Sequence, residues 1–138
     1  MSEKNIPNYP TSSDQFRNKN IVITAAAGSG IGYATAKRYL EEGGNVFISD
    51  LHEERLKACL KELQDLTLGR IDGCLCNVTS TEEVNEMILK ASDCLETIDV
   101  LVNNAGLGGQ NSLEEMPDDV WNNICLLYTS DAADEIQR

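Results

Sequence analysis

The sequence predicts an α/β fold, a doubly wound parallel sheet that stops after about four strands ordered 3-2-1-4. Three observations carry this. Short β-branched apolar runs recur along the chain, and a helix-length amphipathic segment separates each from the next. The first run ends in a glycine-rich turn. The runs are apolar throughout rather than alternating, as strands covered by helices on both faces require. Right-handed crossovers then give the strand order.

The elements follow in turn. Residues 1–16 are polar, with Pro7 and Pro10, and are expected to form a loose arm. Ile21-Val22-Ile23 is the first strand, and it runs into Ala25-Ala26-Ala27-Gly28-Ser29-Gly30-Ile31-Gly32. A helix from Ile31 to Glu42 stops at Gly43-Gly44. The second strand, Val46-Phe47-Ile48, closes at Ser49-Asp50. The second helix carries Leu56, Cys59, Leu60 and Leu63 on one stripe. Ile71 to Cys76 is the third strand, with Cys74 and Cys76 on one face. Ser80-Thr81-Glu82-Glu83 is a capping box for a third helix with the stripe Val84, Met87, Ile88 and Ala91. Ile98 to Val102 is the fourth strand and ends in Asn103-Asn104-Ala105-Gly106. A short helix is expected near Pro117 to Ile124. The whole is Rossmann-like.

Composition narrows the function. The 138 residues include 23 acids and 11 bases, a net charge of −12. That disfavours nucleic acid and anionic membrane surfaces, which need a basic face. No apolar run is long enough to span a bilayer, and no secretory signal opens the chain. There are five cysteines, one histidine and no C-x-x-C pair, so no metal site is expected. The cysteines read as reduced apolar filler of a cytoplasmic protein. Asn77-Val78-Thr79 fits a glycosylation sequon by accident, since no export signal accompanies it. Glu53-Glu54 and Asp118-Asp119 read as solvated helix starts rather than catalytic pairs, and His52 as a surface residue.

The chemistry lies in two places. Gly28-Ser29-Gly30-Ile31-Gly32 joins a strand to a helix N-terminus, where free N–H groups and the helix dipole favour a pyrophosphate. Asp50, 18 residues after Gly32, ends the second strand. Its carboxylate can accept both hydroxyls of an adenosine ribose and would repel a 2′-phosphate. Position 51 is Leu and position 29 is Ser, so no basic residue flanks the acid there. NAD is therefore expected over NADP.

The A-A-A-G-S-G-I-G turn, Asp50, Cys76-Asn77-Val78, Asn103-Asn104-Ala105-Gly106 and Trp121 together resemble the N-terminal half of a short-chain dehydrogenase/reductase over residues 17 to 124. The resemblance implies a partial NAD-binding domain whose parent interconverts a secondary alcohol and a ketone by hydride transfer. It implies a small-molecule substrate and a homo-oligomeric parent. It places the cofactor against Ala26, Gly28, Ser29, Gly30, Ile31, Gly32, Asp50, Leu51, Asn77, Val78, Asn103, Ala105 and Gly106. Asn77 takes the place of the Asp that meets the adenine amine, and Val78 lies against the ring. The family turn begins Thr-Gly. Ungapped alignment puts Ala25 and Ala26 there, while a one-residue insertion would give the Thr place to Thr24.

The family's catalytic Ser and Tyr-x-x-x-Lys do not occur here, and Tyr128 stands where its fourth-helix Asn is expected. Residues 125–135, CLLYTSDAADE, look like a one-frame translation of a sequencing adapter. Residues 125–138 are therefore expected to be a non-native tail, and the chain itself to be inactive and poorly soluble. Two rival readings are a non-catalytic dinucleotide-binding module and a SAM-dependent methyltransferase. The second lacks the acid expected just before its loop and gives N-N-A-G no role.

Overall fold

The computed structural model describes residues 8–66, 69–107 and 114–132. Four parallel strands, β1 (Asn20–Ile23), β2 (Asn45–Asp50), β3 (Ile71–Leu75) and β4 (Val100–Val102), form one sheet in the order β3-β2-β1-β4. This is the predicted order. Helices α1 (Ile31–Glu41), α2 (Glu53–Leu66), α3 (Thr81–Leu95) and α4 (Asp118–Ala132) alternate with them. In register, Val22 stands between Phe47 and Leu101, and Ile23 between Ile48 and Val102.

Alternation along the strands divides the core in two. Ile21, Ile23, Val46 and Ile48 face α1 and α2, where Ala36, Leu40, Leu56, Cys59 and Leu63 meet them. Val22 and Phe47 face α3 and pack on Met87, Ala91 and Leu95. Ile21, Ile23 and Ile48 are fully buried. Each such side chain contributes about 1.5–3 kcal/mol relative to exposure. The predicted stripes of α2 and α3 are the buried ones.

Three local outcomes differ from the sequence expectation. Glu83 N–H does donate to Ser80 Oγ (3.3 Å), but the Glu83 carboxylate accepts from Asn77 N–H (2.7 Å) instead of returning to Ser80. That bond ties the end of β3 to the start of α3. Ile98 and Asp99 precede β4 rather than join it. The Asp99 carboxylate accepts from Asn20 N–H and Lys19 Nζ, which holds it below the usual carboxylate range. Finally, α4 does not stop near Ile124 but continues to Ala132.

The expected loose arm is described from residue 8 onward and is tied down. The buried Glu42 carboxylate accepts from Ser13 N–H (2.8 Å) and Gln15 N–H (3.3 Å) and pairs with Arg38. The Ser13 bond is the chief reason this carboxyl sits below its ordinary range. Arg38 also donates to the carbonyls of Pro10 and Thr11 and lies over the Tyr9 ring. The polar composition of the arm therefore reflects docking on α1. Residues 1–7 of the arm and 133–138 of the tail lie outside the described residues.

Candidate functional site

Two depressions compete for attention. One of about 800 Å³ lies at the starts of the strands, beside Asn18, Asn45 and Gly69, and is walled by the arm. The other, of about 320 Å³, lies at their carboxyl ends. Ligands of open parallel sheets bind at the carboxyl ends, where the order reverses between the first strand and its neighbours. Here that point lies between β1 and β4. The smaller cavity is thus the candidate site. Asp50, Leu51, Asn77, Val78, Ala105 and Gly106, six of the residues expected at the cofactor, line it together with Ala27.

Buried Thr24 braces the loops that carry part of this lining. Its hydroxyl accepts from Asn104 N–H (2.9 Å) and Ala105 N–H (3.1 Å). The Asn104 side-chain amide donates to the carbonyls of Thr24 and Ala25, both at 3.0 Å. One side chain thus locks the turn after β1 to the loop after β4. Gly32 makes room for this contact. A Cβ there would lie 2.5 Å from the Asn104 amide nitrogen and 2.9 Å from the Ala25 carbonyl oxygen. Asn104 is the structural half of the N-N pair. Asn103 is exposed and stands outside the cavity lining.

The bracing by Thr24 favours the alignment with an inserted residue. Ala25 then takes the place of the family glycine, and it has φ +50°, a conformation that costs an L-residue roughly 1–2 kcal/mol. Ala26 differs from the prediction. It is fully buried in the core and its N–H donates to Ser49 carbonyl (2.9 Å), so its methyl does not face the cavity. Gly28, Ser29, Gly30 and Ile31 are exposed, with Gly28 at φ +104°, and stand outside the cavity lining; Ile31 lines a separate depression with Phe16 and Tyr39. No side chain caps the N-terminus of α1, and its first turn holds no acid. The positive end of that helix is left open to an anion.

Asp50 is 6% exposed. Its Oδ2 accepts from Ala27 N–H (3.1 Å) and its Oδ1 from His52 N–H (3.0 Å). An ionised carboxylate has about four acceptor positions, so capacity remains on each oxygen. Asn77 is more committed than the sequence implied. Its Oδ1 already accepts from the Thr79 N–H (3.1 Å) and hydroxyl (2.8 Å). The amide nitrogen is the group left for a ligand, which suits a ring nitrogen acceptor rather than an amine. Val78 is buried at 7% exposure, and Leu51 stands out at 62%. Together they offer an apolar slot.

Seven lining residues lie outside the predicted set: Ala25, Ala27, His52, Arg55, Cys76, Leu107 and Leu127. His52 and Arg55 enter from the start of α2, and Leu127 from α4. Arg55 lies five positions after Asp50, beyond the neighbours inspected for a basic flank. Helical geometry from His52 onward was the signal that could have found it. Tyr128 closes the loop after β4 by donating to Leu107 carbonyl (3.0 Å), with Gly106 beneath its hydroxyl. Among the described residues, no group of three or more His, Cys, Asp or Glu could hold a metal, and no helix is long and apolar enough to cross a membrane.

The description "short chain dehydrogenase" belongs to the family model that matches residues 19–127. The chain belongs to this family. A (5R,7aS)-5-hydroxy-7a-methyl-1-oxo-2,3,5,6,7,7a-hexahydro-1H-indene-carboxyl-CoA reductase of Mycobacterium tuberculosis is 51% identical over 106 residues, covering 77% of this chain and 40% of the relative. The crystal structure of a short chain dehydrogenase from Mycobacterium smegmatis superposes with TM-score 0.88 at 42% identity, over 92% of this chain and 53% of that one. An NAD+-bound xylitol dehydrogenase superposes with TM-score 0.80 at 28% identity, over 86% and 45%. The chain thus spans about half the length of these short chain dehydrogenases. The family's cofactors are nicotinamide dinucleotides, and the cavity's carboxylate and apolar slot, with the open end of α1, fit the adenosine and pyrophosphate of such a molecule.

Proposed function

We propose that residues 17–124 form the adenosine-binding half of an NAD(H)-dependent oxidoreductase that interconverts a secondary alcohol and a ketone. The observation that carries this is Asp50, a carboxylate held at the end of β2 with acceptor capacity facing the cavity. It would take the two ribose hydroxyls, and its charge would oppose a 2′-phosphate. Leu51 and Val78 would hold the adenine, and Asn77 its ring edge. The pyrophosphate would lie at the exposed turn from Gly28 to Ile31. The bound nicotinamide would supply the hydride acceptor. No residue of this chain is assigned to proton transfer, so the 138 residues alone are expected to be inactive. The substrate would be a small alcohol or ketone, and the working protein a cytoplasmic homo-oligomer. The likeness to the mycobacterial reductase lies in the cofactor half, so it supports the cofactor chemistry more than any one substrate.

A second reading, NADP(H), has one observation in its favour. Arg55 lines the same cavity, and a guanidinium can receive a phosphate. Reading the source gene across codon 125 and expressing the full-length protein tests both. We expect Ser and Tyr-x-x-x-Lys downstream, and NADH bound at least about tenfold tighter than NADPH in a fluorescence titration. The reverse order would establish the second reading. Binding of neither cofactor would end the oxidoreductase reading.

A further inference from the structure

We propose that the extra residue of the turn after β1 is a positioning device for Asp50, and that Ala27 acts through its backbone N–H. The inference rests on the cofactor reading above. Between Thr24 and Gly30 lie five residues, where the family's Thr-Gly pattern leaves four. The course of the backbone shows where the additional residue goes. Ala25 turns at φ +50°. That turn sends Ala26 inward, where its N–H meets Ser49 carbonyl at 2.9 Å and its methyl is fully buried. One bond thereby joins the turn to β2, immediately beside the acid. The next N–H, that of Ala27, then reaches Asp50 Oδ2 at 3.1 Å.

The carboxylate is gripped from two loops. Ala27 approaches one oxygen from the turn after β1, and His52 the other from the turn after β2, at 3.0 Å. Both donors are backbone groups and cannot swing away as a side chain would. Rotation of the carboxylate is thereby arrested before any ligand arrives, and the remaining acceptor positions face the cavity. A ribose diol meeting this acid loses less entropy on binding than one meeting a free carboxylate. The length of the turn thus becomes a determinant of selectivity for an unphosphorylated ribose, although the turn itself never touches the hydroxyls.

The test is a double-mutant cycle in the full-length protein, read by NADH and NADPH titration. Deletion of Ala26 shortens the turn to the family length. We expect it to weaken NADH about tenfold, the size of one bond to a charged acceptor. NADPH, which does not gain from Asp50, should change by less than about twofold. In an Asp50→Ala background the same deletion should move the NADH dissociation constant by less than about twofold. Equal weakening with and without Asp50 would overturn the proposal, because the turn would then act on the phosphates directly. An unchanged NADH constant after deletion would overturn it as well. Should the deletion fail to fold, Ala27→Pro keeps the length and removes the N–H, while also fixing φ at that position. The same factors are expected of it, and the same outcomes would overturn the proposal. If the unaltered protein binds neither cofactor, the functional reading and this inference fall together; if it binds NADH but the cycle shows no coupling, only the inference falls.

Discussion

The two flanks of β1 are finished to different degrees. On the β2 side, Ala26 N–H meets the Ser49 carbonyl and Ala27 N–H meets the Asp50 carboxylate, and β2 is buried from Val46 to Asp50. On the other side, β4 has three residues and none is buried. Leu101 is 38% exposed, and Trp121, Leu126 and Tyr128 of α4 are each about half exposed. The difference teaches that a parallel strand is stabilised by neighbours on both edges and helices on both faces. β1 has all four, whereas β4 has a paired neighbour on one edge only. The candidate site spans this divide, with its ribose acid on the finished flank and its Ala105-Gly106 wall on the unfinished one.

Substitutions on the two flanks should therefore differ in cost. Thr24→Val removes one hydroxyl that serves two N–H groups across the divide. Each part-buried donor left without a partner costs about 1–3 kcal/mol, so a loss of roughly 2–4 kcal/mol is expected in urea denaturation. A loss below about 1 kcal/mol would mean that solvent replaces the hydroxyl and that the two loops are not coupled through it. Ala25→Gly acts in the opposite sense. It relieves the left-handed conformation and should stabilise by about 1 kcal/mol, seen as a rise in Tm of several degrees. A fall in Tm would show that the gain in unfolded-chain entropy exceeds the strain relieved. Smallest is Trp121→Ala on α4, expected to change stability by less than about 0.5 kcal/mol despite the size of the side chain. A cost of 2 kcal/mol there would place that face inside a packed assembly and erase the contrast between the flanks.

Much of this architecture was legible in the sequence. Four apolar runs separated by amphipathic helices fix the strand order, because crossover handedness leaves few alternatives. The stripes Leu56-Cys59-Leu63 and Met87-Ala91 follow from helical spacing alone. What stayed hidden were choices made by backbone direction. Three successive alanines give no sign of which one turns left-handed, so the register of Thr24 had to come from the hydroxyl's partners. Asn103 and Asn104 are chemically identical, and only the strand's alternation decides which faces the core. Arg55 is not legible from the positions adjacent to Asp50, because a helix brings a distant residue to the same cavity. The expected last helix is shorter than α4 because the adapter-like run begins at Cys125, yet helical backbone continues through that run to Ala132.

The outer edge of β3 carries its own stopper. Asp72 folds back so that its carboxylate accepts from the N–H of Gly73 at 2.7 Å, and Arg70 reaches over to the carbonyl of Cys94. One N–H that another strand would seek is thereby already taken. β4, at the opposite edge, has no comparable guard among the described residues. Strand addition at the β3 edge would therefore first have to displace the Asp72 carboxylate from Gly73, a cost that nothing among the described residues imposes at β4.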